Sequence, residues 1–233
     1  MKFTEQDYAY LRGEKFSSGY DLELNDTALY ARTDKIIELV WGKSCLHVGC
    51  CDHIPLIKEK ISRKAWLHGL LEENCRRVVG IDINKDAVDY VNQEGFSAGE
   101  VYCADIAARD FALPGVDMKF NCILLGEIIE HVDNPSLFLR NVRENMEKQG
   151  FQGTYIVTVP NAFCMMRGGK YGRGIECINS DHRYWFTPYT IAKVLISAGI
   201  TPKELWFVNY DRYAIQYAYQ SDQLIITGAS EQI

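Results

Sequence analysis

From residue 44 onward, short apolar runs alternate with longer stretches whose apolar positions recur every three to four residues, and this rhythm constrains the fold more than any other feature. Residues 45–48, 78–83, 101–103, 121–125 and 155–159 have the length and composition of strands buried on both faces. The clearest helical pattern between them is 135–148, where Leu137, Phe138, Val142 and Met146 share one face and Arg140, Arg143, Glu144 and Glu147 take the other. Strands alternating with helices predict an α/β fold, its strands mostly parallel and flanked by helices. Residues 1–43 read as a helical cap, with Ile36, Ile37, Leu39 and Val40 directed at the sheet, and 44–161 as the core. Residues 162–233 read as an elaboration: a glycine-rich loop at 165–179, a helix at 188–198 closed by Gly199, and β-like runs at 205–208 and 224–227. No repeat or linker interrupts the 233 residues, so a single domain is expected.

Composition removes several function classes. No window approaches the ~18 unbroken apolar residues of a membrane span. Residues 1–15 mix Glu5, Asp7, Arg12, Glu14 and Lys15 among the apolar positions, so no signal peptide is expected. A net charge of −6 disfavours a nucleic-acid partner, whose phosphates call for a basic surface. The eight cysteines lie mostly inside apolar runs, as free thiols do in a reducing compartment, and a cytoplasmic location follows as the expectation. Zinc at Cys50, Cys51 and His53 with Cys177 or His182 is disfavoured, because adjacent cysteines do not form a C-x-x-C knuckle; no metal is expected.

Open parallel sheets bind ligands beyond the carboxyl ends of their strands. After the first strand comes His47-Val48-Gly49-Cys50-Cys51-Asp52-His53, where Gly49 allows a tight turn and close backbone approach. After the second comes Gly80-Ile81-Asp82-Ile83-Asn84, whose carboxylate suits the paired hydroxyls of a ribose; after the third comes Ala104-Asp105-Ile106, whose acid suits an adenine amine. Each acid taken alone is more often a helix cap or turn residue. Together, a glycine turn followed by two acids at successive strand ends provides for an adenosine-containing cofactor. A nicotinamide cofactor is disfavoured, since Gly49 is not followed by the second and third glycines of Gly-x-Gly-x-x-Gly.

Over about residues 44–208 the chain resembles the class I S-adenosylmethionine-dependent methyltransferases, in particular their small-molecule branch with ubiquinone-biosynthesis, sugar and natural-product enzymes. The resemblance is carried by Cys45-Leu46-His47-Val48-Gly49-Cys50, Val78-Val79-Gly80-Ile81-Asp82, Ala104-Asp105, His182-Arg183-Tyr184-Trp185-Phe186-Thr187-Pro188 and two more specific pieces, Leu124-Leu125-Gly126-Glu127-Ile128-Ile129-Glu130-His131 and Val157-Thr158-Val159-Pro160-Asn161. It implies a Rossmann-like, doubly wound sheet of seven strands, S-adenosylmethionine as cofactor and S-adenosylhomocysteine as product. It places the cofactor on His47, Gly49, Cys51, Asp82, Ile83, Ala104, Asp105, Ile106 and Gly126, and an acceptor near Glu127, Asn161, Tyr184 and Trp185. The first loop departs from the family: His47 stands for its acid, Cys51 for its second glycine and His53 for its third. Asp82 also lies 33 residues beyond Gly49, against about 20 in a first βα unit. An insertion around residues 57–71, with Trp66 and His68, accounts for the length; glycan-locus relatives share such an insertion, which tilts the expected acceptor toward sugars.

In-line displacement at a sulfonium carbon needs chiefly alignment and exclusion of water. A hydroxyl acceptor must also lose its proton, for which neutral imidazole is suited near pH 7. His131 and His182 are the candidate bases, with local capping and hinge contacts as their structural alternatives. Glu127 and Glu130 are expected to organise the turn. Tyr8, Tyr10, Phe16 and Tyr20 either pack the cap or close over the cofactor. The expected function is O-methylation of a small sugar-like or natural-product acceptor; the alternative is a methyltransferase fold kept for binding or assembly without catalysis. The aromatic stretch 210–219 is a candidate homodimer contact.

Overall fold

The computed structural model describes residues 1–24, 28–98, 101–167, 173–209 and 217–230, and only the backbone of 165–167. It is a mostly parallel, Rossmann-like α/β fold with an eight-stranded sheet. Two compact units make it up, one comprising residues 36–126 and 141–156, the other residues 1–35, 127–140 and 157–233.

In the first unit four strands run in the order β5-β2-β3-β4: β2 (Ser44–Val48), β3 (Arg77–Asp82), β4 (Val101–Cys103) and β5 (Cys122–Gly126). All their pairings are parallel, with Cys45 opposite Val78 on one side and Cys122 on the other. Every residue of β2 is buried, as its central place requires. Register sets Val48 beside Ile81 and Asp82 beside Cys103, so Gly49, Asp82 and Asp105 emerge beyond one end of adjacent strands. The expected insertion is two short helices, α3 (Ile54–Ser62) and α4 (Leu67–Asn74). Ile57 from α3 and Trp66, at the head of α4, enter a core with Cys50, Val88, Val91 and Val101, the valines at 88 and 91 coming from α5 (Lys85–Gln93).

In the second unit β1 (Leu29–Ala31) pairs parallel with β7 (Ile200–Asn209), which pairs antiparallel with β8 (Gln223–Ser230); the last residues of β6 (Thr154–Pro160) lie next to β8. Strand β1 makes eight strands where seven were expected. Its three residues are too short to carry a periodicity, and it exists because β7 offers a free edge in the register Leu29 to Phe207 and Ala31 to Asn209.

Helix starts follow local chemistry. Thr4 and Asp7 form a reciprocal capping box on α1 (Glu5–Leu11), Thr187 and Thr190 do so on α7 (Pro188–Ser197), and Asn84 caps α5 by accepting from the Ala87 N–H. Lys193 of α7 donates to the carbonyls of Tyr10 and Leu11 at 3.0 and 2.6 Å, at the C-terminal end of α1. Of the four N-terminal aromatics, Tyr10 stacks on Tyr20 at 4.0 Å, Tyr20 donates to Asp7, and Tyr8 donates to the Pro202 carbonyl; Phe16 is exposed. Of the glycine-rich loop, 168–172 lie outside the described residues, as do residues 210–216 of the candidate dimer contact. No helix among the described residues is long and apolar enough to cross a membrane, and none of the eight cysteines is in a disulfide.

Candidate functional site

Two constellations stand out, one in each unit. In the first unit the chain turns sharply after β2 because Gly49 adopts φ +66°, a conformation that a side chain would strain. The N–H groups of Gly49 and Cys50 then both reach the Ile81 carbonyl, at 2.8 and 3.2 Å. The Cys51 N–H donates to Asp82 Oδ2 at 3.0 Å, and the Asn84 N–H to Asp82 Oδ1 at 2.9 Å. Asp82 is thus fixed between the first loop and the start of α5. Burial nevertheless raises its pKa, against the backbone donors of Asn84, Cys51 and Ile83.

This arrangement fits an adenosyl group. Each Asp82 oxygen accepts at least one backbone N–H, and the carboxylate keeps lone-pair capacity for a hydroxyl. Next to it Ile83 holds an apolar side chain 75% exposed, a flat face of the kind a base covers. Asp105 is exposed, its Oδ1 accepting from the Ala107 N–H at 2.9 Å, and the Ala104 N–H donates to the Asp82 carbonyl at 2.9 Å. Gly126 ends β5 half-buried.

Two residues expected at the cofactor have buried side chains. His47 does not stand at a surface in place of an acid: its ring is buried, with Nδ1 3.1 Å from Nδ1 of His68 and the two rings stacked. Burial pushes the His68 pKa down to about 4, partly offset by Glu72. His68 is therefore neutral at pH 7. Ile106 turns its side chain into the core, and its carbonyl accepts from Asn145 at 2.8 Å. The first loop's own acid, Asp52, pairs with Lys60. His68 carried no signal in sequence beyond being one polar residue in an apolar stretch.

The second constellation begins where the chain leaves β5. Glu127 adopts φ +56°, unusual for a residue with a side chain. Thr158 of β6 holds it there. The Glu127 N–H meets the Thr158 carbonyl at 3.2 Å and hydroxyl at 3.1 Å, and that hydroxyl donates to Glu127 Oε1 at 2.7 Å. Gln223 donates to the other carboxylate oxygen, and Arg32 donates to the Thr158 hydroxyl at 3.1 Å. Arg32, Thr158 and Gln223 were not among the expected residues. Thr158 alone gave a sign, as the one aliphatic hydroxyl inside the apolar run 155–159.

Glu130 lies fully buried, and neither of its carboxylate oxygens has a hydrogen-bond partner among the described residues. Burial first, then the neighbouring Glu127 charge, pushes its pKa up to about 9, with Arg32 acting in the opposite sense. His131 and His182 come together edge to face, ring centroids 4.7 Å apart. The Asp181 carbonyl lies 3.2 Å from His131 Nδ1, so that nitrogen carries the proton and Nε2 the lone pair. His182 Nδ1 is buried without a partner among the described residues, and burial followed by His131 lowers the His182 pKa. The segment carrying His182 is tied down by Arg183, whose N–H donates to the Glu130 carbonyl at 2.7 Å and whose guanidinium reaches the His131 carbonyl and Asp133.

Of the expected acceptor residues, Tyr184 is partly exposed and donates to the Asp133 carbonyl at 2.6 Å, while Trp185 keeps a buried indole N–H without a partner among the described residues. Asn161 keeps its side chain inside the protein. It is fully buried, its amide N–H groups reach the carbonyls of Tyr219 and Ser221 at 2.8 and 2.9 Å, and its side-chain oxygen accepts from the Phe163 N–H at 3.1 Å. It pins the chain before β8.

Residues 63–152 match a family model described as a methyltransferase domain. No curated protein matches the chain. Among solved structures, similarity extends to the Haloferax volcanii complex of the Trm112 methyltransferase activator with a methyltransferase, at TM-score 0.55 and 14% identity over 86% of this chain and 89% of that one. An S-adenosylmethionine-dependent methyltransferase from Clostridium acetobutylicum follows at 0.53 and 10% over 86% and 91%. Magnesium protoporphyrin IX methyltransferase from Synechocystis PCC 6803, with bound S-adenosylhomocysteine, gives 0.52 and 12% over 85% and 82%. These likenesses concern the fold, while the matched domain implies S-adenosylmethionine as the methyl donor. The chain thus carries a methyltransferase domain, matched over residues 63–152, on the class I fold.

Proposed function

We propose that the chain methylates the hydroxyl of a small sugar-like or natural-product acceptor. The observation that carries this reading is the pairing of His131 and His182 beside the buried Glu130, since transfer to oxygen requires a group that deals with the hydroxyl proton and transfer to an unprotonated amine does not. The bound donor supplies an electrophilic methyl on a sulfonium.

The chain's own residues do the rest. Asp82 holds the ribose hydroxyls, Ile83 covers the base, and Asp105 accepts from the adenine amine. The His131 Nε2 lone pair is oriented by the Asp181 carbonyl toward the acceptor proton. Glu127, locked by Thr158 and Gln223, keeps the turn in shape. Trp185 offers its unpartnered indole N–H to an acceptor oxygen, and Tyr184 adds a partly exposed ring on which a sugar face packs.

The test is calorimetric titration with S-adenosylmethionine and S-adenosylhomocysteine, followed by a screen of sugars, phenols and amines for a one-methyl mass gain. Asp82→Ala is expected to weaken cofactor binding by ~1–3 kcal/mol, about 5- to 150-fold. Unchanged affinity in that variant removes the cofactor assignment. Methylation confined to amines overturns the O-methylation reading, and a folded protein that binds neither ligand returns the non-catalytic alternative.

A further inference from the structure

We propose that Cys50, Cys51 and Asp82 form a binding site for Zn²⁺ or a cation of similar softness, and that this cation competes with the adenosyl group for the Asp82 carboxylate. One ligand atom from each residue lies within 4.8 Å of the other two, and the two sulfurs are 3.9 Å apart. Tetrahedral Zn²⁺, with Zn–S bonds of about 2.3 Å and a Zn–O bond of about 2.1 Å, sets its sulfurs about 3.8 Å from each other and about 3.6 Å from the oxygen. The thiols thus already stand at the span of a dithiolate, and the carboxylate has to close by no more than about 1.2 Å. The C-x-x-C spacing that a zinc knuckle calls for is one way to bring two sulfurs to one ion; here adjacent thiols converge without it.

The fold holds all three donors in place. The Cys50 N–H rests on the Ile81 carbonyl at 3.2 Å and its side chain lies in the core with Ile57, Trp66 and Val88, while Cys51 packs against the same cluster. The Cys51 N–H bonds Asp82 Oδ2 at 3.0 Å, so the third donor is tied to the second. Two sulfurs among three donors select Zn²⁺ and Cd²⁺ over Mg²⁺, Ca²⁺ or Mn²⁺. A disulfide is the other use of neighbouring thiols, and the backbone opposes it: Cα atoms across a trans peptide stand about 3.8 Å apart, short of the roughly 4.4 Å that a bridge needs. A cation accepts the sulfurs at the separation they already have. Asp82, half-buried and with its pKa raised by burial, is a carboxylate that gains from a positive neighbour.

Binding is a proton exchange. Each S–H bond breaks, its electron pair becomes the S–Zn bond and its proton leaves to water, while the carboxylate contributes one oxygen lone pair. The Cys51 thiol, and then burial, raise the Cys50 pKa, so Cys50 keeps its proton until a cation replaces it. Asp82 already accepts from the Cys51 and Asn84 N–H groups, so a cation and the paired hydroxyls of a ribose draw on the same remaining lone pairs. The competition rests on the reading of Asp82 as the acid that holds the ribose; the binding of the cation does not.

The experiment uses the full chain, reduced, stripped with a chelator and titrated with Co²⁺, read by its thiolate-to-metal charge-transfer band, and then with Zn²⁺, which displaces it. One tight equivalent is expected. Cys50→Ala and Cys51→Ser are each expected to weaken it by roughly tenfold or more, since loss of even an outer partner of a metal ligand costs about that much. Cys51 is only partly buried, so Cys51→Ser, checked by circular dichroism, keeps the test open where Cys50→Ala fails to fold. Cys103→Ser controls for an exposed thiol and is expected to bind as the parent does. Calorimetry with S-adenosylhomocysteine at free Zn²⁺ about ten times its own Kd is expected to show a roughly tenfold weaker affinity. No charge-transfer band, a band unchanged in folded Cys51→Ser, or one lost equally in Cys103→Ser overturns the site. A band lost in Cys51→Ser with S-adenosylhomocysteine affinity indifferent to Zn²⁺ supports the site and overturns the competition. A metal-free protein that binds no S-adenosylhomocysteine sinks the cofactor reading and the competition with it, while the band and its loss in Cys51→Ser still support the cation site.

Discussion

Gly80→Ala tests whether the first loop is shaped by the core beneath it. Gly80 sits in the middle of β3, and a Cβ built there meets Cys50 Sγ at 2.7 Å, His68 Cε1 at 2.7 Å and Cys50 Cβ at 3.0 Å. Real Cβ contacts lie beyond about 3.4 Å, so both neighbours must retreat by roughly 0.4–0.7 Å. Neither has room. Cys50 is 2% exposed within a packed cluster and His68 0% exposed against His47 and Trp66. Overpacking of this kind costs ~1–3 kcal/mol, equivalent to a fall in Tm of about 2–12 °C for a chain of this length. Cys50 also follows the Gly49 turn and precedes Cys51, whose N–H holds Asp82. Displacing it therefore disturbs the cofactor acid as well as the core. Urea unfolding followed by circular dichroism, with S-adenosylhomocysteine affinity measured alongside, is the assay. The double variant Cys50→Ala with Gly80→Ala removes the sulfur contact and is expected to recover part of both losses. Stability and affinity both within ~0.5 kcal/mol of the parent would refute the argument that Gly80 is there for close packing.

Two further outcomes follow from buried polar groups. Thr158→Val removes one hydroxyl that accepts from the Glu127 N–H and from Arg32 and donates to Glu127; a loss of ~1–3 kcal/mol in urea unfolding is expected, with Thr158→Ser restoring most of it, and no loss would show that the φ +56° turn is held by other means. His68 titrates near 6.5 in the unfolded chain and at about 4 in the fold. The unfolded state therefore binds more protons between those values, and the stability this group allows is fully present above pH 6.5 and lost as pH falls toward 4, by up to roughly 3 kcal/mol. Glu130, raised to about 9, has the opposite slope, its contribution being lost as pH rises from about 4.5 toward 9. Comparing His68→Gln with the parent cancels that second slope; the variant's Tm is expected to fall less between pH 6.5 and 4, and parallel profiles would mean that His68 is protonated in the fold.

Where the pattern of apolar positions is regular along a segment, sequence determined the outcome by itself. The runs at 45–48, 101–103 and 155–159 lie within or coincide with β2, β4 and β6, and the amphipathic stretch 135–148 is helix α6 (Pro135–Lys148). The glycine turn at 49 and the acids at 82 and 105 were legible for the same reason, since a strand's end and the residue following it are fixed locally. Partnerships between residues far apart were not. Strand β1 needed the edge of β7, and the pairing of His47 with His68 depends on α4 crossing β3 at a glycine. His131 and His182 are 51 residues apart and in sequence each reads as a separate candidate base; only the fold sets them ring against ring beside a Glu130 carboxyl that has no hydrogen-bond partner among the described residues. A residue's type states what it can bond. Which bonds it makes depends on burial, because only removal from water makes an unmet donor or acceptor costly enough to select its partner.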